Sequence, residues 1–561
     1  MPNDLEIVQS AILRPMEEIG ASIGCVAEDI ELYGRDIAKL DLKRANAPQK
    51  GKYVVVTAVT PTPLGEGKTT TVIGLVQGMG KLGKHAVAAL RQPSLGPVFG
   101  IKGGAAGAGY SQVVPMESMN LHLSGDFHAI TAAHNLLAAM VDNHLQHGNA
   151  LRIDPSSITW GRVMDMNDRS LRSIVVGLGG RLDGVPRQSR FDITAASEVM
   201  TLVSLSRDLW DLRARLGRIV IGFNAEGEAV TAEDLKAAGA MCVLLKDALR
   251  PNLLQTLEGQ AAIVHCGPFG NIATGNNSIV ADRVALAGAD MVVTEAGFGA
   301  DLGFERFVNV KCRVSGLVPD VAVVVATVRA LKVHSGNYVV RAGMPLPPEL
   351  LESSVDDVSA GLVNLGHHLD IVAGAGVRAV VAINAFPEDH EEEHQVIRDF
   401  CASRGVACAV TRHVAQGGAG AVELAEMVWD VAHEGPAALR FTYELEQSLE
   451  SKIESVAREV YGANGVDFDP KATRELQRFE ELGYGELPVL IAKTHLSTTA
   501  TASDRGAPSD WVLPVREVRL AAGAGYVYAL TGTIQTMPGL GTHPAAENID
   551  IDEAGNIVGL F

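Results

Sequence analysis

The chain is 561 residues long, with 66 Asp and Glu against 47 Lys and Arg and a formal net charge of −19. That balance argues against a nucleic-acid partner, whose phosphates call for a basic face, and 47% hydrophobic with 20% charged residues describes a globular protein of several domains rather than a disordered or fibrous chain. No apolar run reaches the roughly 18 residues of a membrane span, MPNDLEIVQS is not a basic-then-apolar leader, and six scattered cysteines without C-x-x-C spacing suit buried thiols, so the expected location is the cytoplasm.

Residues 1–50 carry apolar positions at helical spacing from Ile7 to Ile19 and again from Ile30 to Leu42, which predicts a helical cap. From Tyr53 onward short Val- and Ile-rich runs alternate with helical stretches, the pattern of a parallel sheet with crossover helices. The predicted strands are Tyr53–Thr60, Ala86–Leu90, Ser173–Val176, Arg218–Phe223, Cys242–Leu245, Ala262–His265, Met291–Glu295, Val321–Ala326 and Ala379–Ile383. In open α/β sheets ligands gather beyond the carboxyl ends of strands, so chemistry is sought where these runs end.

The first run opens YVVVTAVTPTPLGEGKTTT, from Tyr53 to Thr71. It reads as a buried strand stopped by Pro61 and Pro63. Gly65 and Gly67 then let successive N–H groups turn to one point, and a helix opening near Lys68 adds unpaired amides and its positive dipole end. The candidate phosphate cradle is Thr62, Pro63, Leu64, Gly65, Glu66, Gly67, Lys68, Thr69 and Thr70. Lys68 would place a point charge on the outer phosphates, and a hydroxyl from Thr69 or Thr70 would complete a Mg²⁺ shell. Thr62 stands where the consensus G-x-x-x-x-G-K-[ST] has its first glycine.

The second run ends in Arg91, followed by a Pro- and Gly-rich stretch to Tyr110. If its strand neighbours the first, Arg91 lies beside the phosphate loop, where its planar fork suits a pair of phosphate or acyl-phosphate oxygens; the alternative is a structural Arg on a carboxylate. Lys102 is a second, weaker cation. Further along, Asp126 and His128 lie in LSGDFHAIT, His265 and Cys266 end a strand, and Glu295 and Asp301 lie in TEAGFGADLG. Both carboxylates of the last motif suit either Mg²⁺ or amine assistance or the capping of a Gly-rich turn. His128 reads as a hydrogen-bonded structural imidazole rather than a proton shuttle, and His265 with Cys266 as loop anchors.

MPLPPELL interrupts the pattern after Met344, another βα unit ends in AINAFPEDHEEEH, and a helical stretch runs from Ala421 into Ala457. His390 and His394 have the H-E-x-x-H spacing of a zinc pair, but charge on all sides favours a solvated helix face. The expected fold is α/β. A large P-loop domain with a mostly parallel sheet and a helical cap covers 1–360, a smaller α/β domain 361–453, and a mixed C-terminal segment 454–561.

TPLGEGKTTT, RQPSLGPVFGIKGGAAGAGYSQVVPME, LHLSGDFHAI, PNLLQTLEG, VTEAGFGADLGFERF, VATVRALKVHSG, VVAINAFPED and TMPGL resemble, in order and spacing, motifs of the formate–tetrahydrofolate ligase family over nearly the whole chain. The resemblance implies an ATP- and Mg²⁺-dependent enzyme that joins formate to N10 of tetrahydrofolate through formyl phosphate. It implies activating charges on Lys68 and Arg91, the metal-side hydroxyl on Thr69, and a folate pocket walled by Phe386, Pro387 and the residue at Val414. It also implies homotetramers and, in some members, a response to monovalent cations.

Relatives resemble W-A-K-G-G-E-G-G where this chain reads HVAQGGAG, so Val414 stands where a Trp is expected to stack on the pterin, with Gln416 and Ala419 near the usual Lys and Glu. Gln92, Ala108 and Ser335 are further departures. Two other readings follow: the same formyl-phosphate chemistry with a modified pterin or another amine as acceptor, and a P-loop ATPase switch acting through protein partners. Trp429 compensates for the missing ring only if it points back to the pocket.

Overall fold

The computed structural model describes residues 3–100, 106–341, 344–532 and 534–560; Lys102 lies outside them. A 12-stranded sheet organises the molecule. In chain order its strands are β1 (Ile30–Leu32), β2 (Ala38–Leu40), β3 (Lys52–Ala58), β4 (Ala86–Leu90), β5 (Gly107–Ala108), β6 (Ser111–Val114), β7 (Asn252–Thr256), β8 (Ala261–Val264), β9 (Met291–Glu295), β10 (Val321–Ala326), β11 (Arg378–Asn384) and β12 (Ala407–Thr411). Across the sheet the order is β1-β2-β7-β8-β4-β9-β3-β10-β11-β12, with β6 against β7 and β5 against β6. Every pairing from β8 to β12 is parallel.

β3 shows why its run is continuously apolar. Val54, Val56 and Ala58 belong to the core on one face of the sheet and Tyr53 and Val55 to the core on the other, so alternation has no solvent side to report. Four helices matter for the site: α1 (Lys68–Lys81), α2 (Asp126–Gln146), α3 (Val328–His334) and α4 (Val355–Gly374).

The structure corrects several sequence expectations. Cys242–Leu245 is not a strand but the end of a helix, Ala238–Leu245. Its buried residues, Ala238, Met241, Cys242 and Leu245, keep helical spacing, while Val243 and Leu244 are exposed. The second half of the cap is the hairpin β1–β2 rather than a helix: Gly34 takes φ +81° and Tyr33 N–H closes the turn on the Ile37 carbonyl at 2.8 Å. The predicted strands near residues 173–176 and 218–223 form small antiparallel pairs outside the main sheet.

Residues 361–453 contribute β11 and β12 to the sheet that holds β3. The C-terminal segment builds its own sheet from Val489–Ala492, Glu517–Ala521 and Tyr526–Leu530. A buried Lys493–Asp301 pair at 2.7 Å and an Arg306 N–H on the Ile491 carbonyl at 2.7 Å tie it to the rest. Among the described residues no helix is long and apolar enough to cross a membrane.

Candidate active site

Residues 59–67 leave the carboxyl end of β3 and turn into α1. Gly65 and Gly67 sit at φ +77° and +76°, conformations a side chain disfavours. Gly67 is also crowded, since a Cβ there would stand 2.4 Å from Asn384 Nδ2, which donates to the Glu66 carbonyl at 3.2 Å. Glu66 does not project from the loop. Its buried carboxylate accepts the Thr62 N–H and hydroxyl at 2.8 and 3.0 Å on one oxygen and the Thr327 hydroxyl at 2.6 Å on the other. It braces the turn from inside, and Thr62 is committed to it.

Thr70 and Thr71 donate their hydroxyls to the Gly67 carbonyl at 2.6 and 2.9 Å. Thr69 points elsewhere and donates to Glu295 Oε2 at 2.7 Å. The other oxygen of Glu295 accepts Arg91 Nε at 3.1 Å. Arg91 therefore meets the loop by a different route from the conditional expectation: β4 does not neighbour β3, because β9 lies between them and its last residue joins the two. Burial alone would raise the Glu295 carboxyl, but Arg91, the Thr69 hydroxyl and Lys68 together hold it below its ordinary value. Because Arg91 uses Nε on Glu295, its two terminal amino groups remain on the Gly297 side, 3.5 and 3.8 Å from where a Cβ on Gly297 would be. The result is one ionised carboxylate orienting a guanidinium and a hydroxyl beside an ammonium, an arrangement suited to a highly charged anion.

Other candidates lie away from this point or are structural. Asp126, at the start of α2, is buried on Lys39 of β2 at 2.6 Å and accepts Asn252 Nδ2 at 2.8 Å. His128, expected to be a hydrogen-bonded structural imidazole, is exposed. His265 is buried between Ser278 Oγ at 2.6 Å and the Ala248 carbonyl at 2.7 Å, and burial lowers it to about 4; Cys266 takes φ +56° and its carbonyl accepts Gln92 N–H at 2.7 Å. Asp301 is committed to Lys493. His390 is the N-cap of the helix Glu391–Ser403, and Glu393 and His394 are buried rather than solvated, Glu393 pairing with Lys332 at 2.5 Å. Among the described residues no group of His, Cys, Asp and Glu is arranged to hold a metal ion.

The loops after β11 and β12 carry the remaining candidates. One face of the Phe386 ring is covered by the Arg329 guanidinium, 3.9 Å from its centroid, and Pro387 beside it is exposed. Val414 is half-buried; its carbonyl accepts Tyr110 N–H at 2.9 Å, and Tyr110 is 40% exposed. Helix α1 touches this loop: a Cβ on Gly74 would stand 2.5 Å from His413 Cβ. Trp429 does not point back to it. Lys84 lies 4.2 Å over its ring, at the amino end of β4 and so at the opposite edge of the sheet. Sequence reading missed Asn384, Thr327, Arg329 and Tyr110; the motifs containing them were visible, but nothing in the spacing aimed those side chains.

Comparison with known proteins gives the same direction over the whole length. A family model described as formate–tetrahydrofolate ligase matches residues 2–561. The chain is 60% identical to the formate–tetrahydrofolate ligase of Cutibacterium acnes, with 100% of both chains covered. It is 58% identical to that of Saccharopolyspora erythraea and 57% to that of Roseiflexus sp., again with 100% of both chains covered.

Proposed function

Because this chain belongs to the formate–tetrahydrofolate ligase family, whose reaction joins formate to tetrahydrofolate at the cost of ATP, we infer that the point where Glu295 gathers Thr69 and Arg91 beside Lys68 is where the phosphoryl group is transferred. Formate is a poor electrophile, since its carboxylate repels an amine. Moving the γ-phosphoryl onto it gives formyl phosphate, whose carbonyl the N10 amine of the folate attacks, releasing phosphate. In such transfers the protein supplies position and charge rather than bonds. Lys68 meets the outer phosphates as a point charge, and the Arg91 terminal amino groups meet oxygens of the formyl and phosphoryl groups as charge shifts between them. The observation that carries this reading is the shared carboxylate, which fixes the Arg91 plane and the Thr69 hydroxyl together.

The oxygen donors fit a Mg²⁺ that arrives on the nucleotide: Thr69 is the hydroxyl turned to the site's carboxylate. Such an ion neutralises charge on the β- and γ-oxygens when bound. We assign the acceptor pocket to Phe386, Pro387 and Val414, and treat 1–360, 361–453 and 454–561 as a functional partition into phosphoryl side, acceptor wall and C-terminal support. A cytoplasmic homotetramer belongs to the same reading, as does a response to monovalent cations; light scattering tests the first, and exchanging KCl for choline chloride the second. All six cysteines are free, as a reducing compartment keeps them.

The deciding experiment measures ADP release with ATP, Mg²⁺ and formate, with and without tetrahydrofolate, and follows the acid-formed methenyl product. Turnover that needs both formate and folate is expected. ATP hydrolysis indifferent to formate would overturn the assignment, and formate-dependent ADP release without a folate product would move the acceptor to another amine.

Val414→Trp is expected to tighten folate. A restored aromatic face adds about 0.5–1.5 kcal/mol beyond area burial, so the KM for tetrahydrofolate should fall roughly two- to tenfold while that for ATP stays put. An unchanged folate KM would remove Val414 from the pocket wall.

A further inference from the structure

Thr60 sits between the end of β3 and the prolines of the loop, fully buried, and each of its polar groups is held by a side chain from another element. Its N–H donates to Asn364 Oδ1 at 3.1 Å, its hydroxyl oxygen accepts Asn364 Nδ2 at 2.9 Å and lies 2.9 Å from His368 Nε2, and its carbonyl lies 2.8 Å from His334 Nε2. Asn364 and His368 are one turn apart on α4, and His334 is the last residue of α3.

The proton positions follow from these partners. A carbonyl only accepts, so His334 carries its proton on Nε2, and its bare Nδ1 accepts Gly506 N–H at 3.4 Å. Asn364 must face the Thr60 N–H with its oxygen, which turns its Nδ2 to the Thr60 hydroxyl and to the Gly506 carbonyl at 2.7 Å. Burial lowers His334 to about 4 and His368 to about 3, so both rings are neutral near pH 7.

Two features make this more than a satisfied buried corner. α3 grips the loop at both ends, with its N-cap Thr327 on Glu66 and its last residue on Thr60. Gly506, from the C-terminal segment, closes the clamp from behind through both Asn364 and His334.

We propose that Asn364, His334 and His368 are positioning residues for ATP: they fix Thr60, and with it the direction in which residues 60–67 leave β3, so that the C-terminal segment sets nucleotide affinity without touching the nucleotide. A loop already held in its binding shape loses less freedom when the phosphates arrive. The inference rests on the assignment of this loop to ATP.

The test is equilibrium titration of ATP and, separately, of tetrahydrofolate into the full chain. Thr60→Val keeps the shape and removes the hydroxyl that Asn364 and His368 share; Thr60→Ser restores it. Thr60→Val is expected to bind ATP roughly tenfold more weakly, with Thr60→Ser within twofold of the parent and folate affinity unchanged in both. A second pair covers the case in which Thr60→Val does not fold: His334→Gln, whose side-chain amide can still donate to the carbonyl, should bind ATP more tightly than His334→Ala. Equal ATP affinity across either pair, or equal losses for ATP and folate, would overturn the clamp. The parent's failure to show formate-dependent turnover would refute the functional reading instead, and the ATP titrations would still decide this one.

Discussion

Lys68→Ala is expected to lower kcat for formate-dependent ADP release by roughly 10³-fold or more, the cost of deleting a charge aimed at a transferring phosphoryl group. Lys68 opens α1 at the end of a loop whose shape is set by other groups: the left-handed glycines, the Glu66 brace, the Asn384 contact and the Thr60 clamp. None of these needs the Lys68 ammonium, so the variant should still fold cooperatively. Glu295 loses one of the cations that favour its ionised form but keeps Arg91 and Thr69. Lys68→Arg is not expected to rescue, because a planar fork does not replace a compact ammonium at one phosphate oxygen. Single-turnover kinetics with a thermal melt in parallel decides the matter. A folded Lys68→Ala protein that keeps more than a tenth of the parental kcat would show that the phosphate clamp lies elsewhere.

What the sequence could show depended on how local the cause was. Ala86–Leu90, Met291–Glu295 and Val321–Ala326 were legible to the residue, since strands buried on both faces must be apolar throughout. AGAMCVLL was not, because a short run of apolar residues fits a buried strand or a helix equally well until burial picks out positions 238, 241, 242 and 245. The turn from Gly65 to Lys68 could be read because its backbone requirement is met by its own residues. The Glu295 bridge could not: its partners Thr69 and Arg91 are 226 and 204 residues away, and they meet only because β9 inserts between β3 and β4. Glu66 shows the same limit: its place in the cradle was legible, but not that Thr327, 261 residues on, draws its side chain inward.

Glu295→Gln is expected to cut kcat by roughly 10²-fold while changing the KM for tetrahydrofolate little. The substitution keeps size and shape but removes the charge. It also replaces one of two acceptor oxygens with a donor, so the side chain can no longer accept from Arg91 Nε and from the Thr69 hydroxyl at once. Whichever partner is released, the constellation loses its fixed geometry. Burial without the compensating charge pairing costs stability too, about 1–3 kcal/mol for an unpaired buried group, moderated because the Arg91 side chain is 27% exposed and partly reaches water. The diagnostic measurement is a double-mutant cycle. If Glu295 acts by aiming Arg91, then once Arg91→Ala is in place the further change Glu295→Gln should cost less than tenfold, a coupling of at least about 1.4 kcal/mol. Additive losses would mean that the carboxylate works through Thr69 or on the reacting groups rather than through Arg91, and the assignment of Arg91 as a charge oriented by Glu295 would have to be withdrawn.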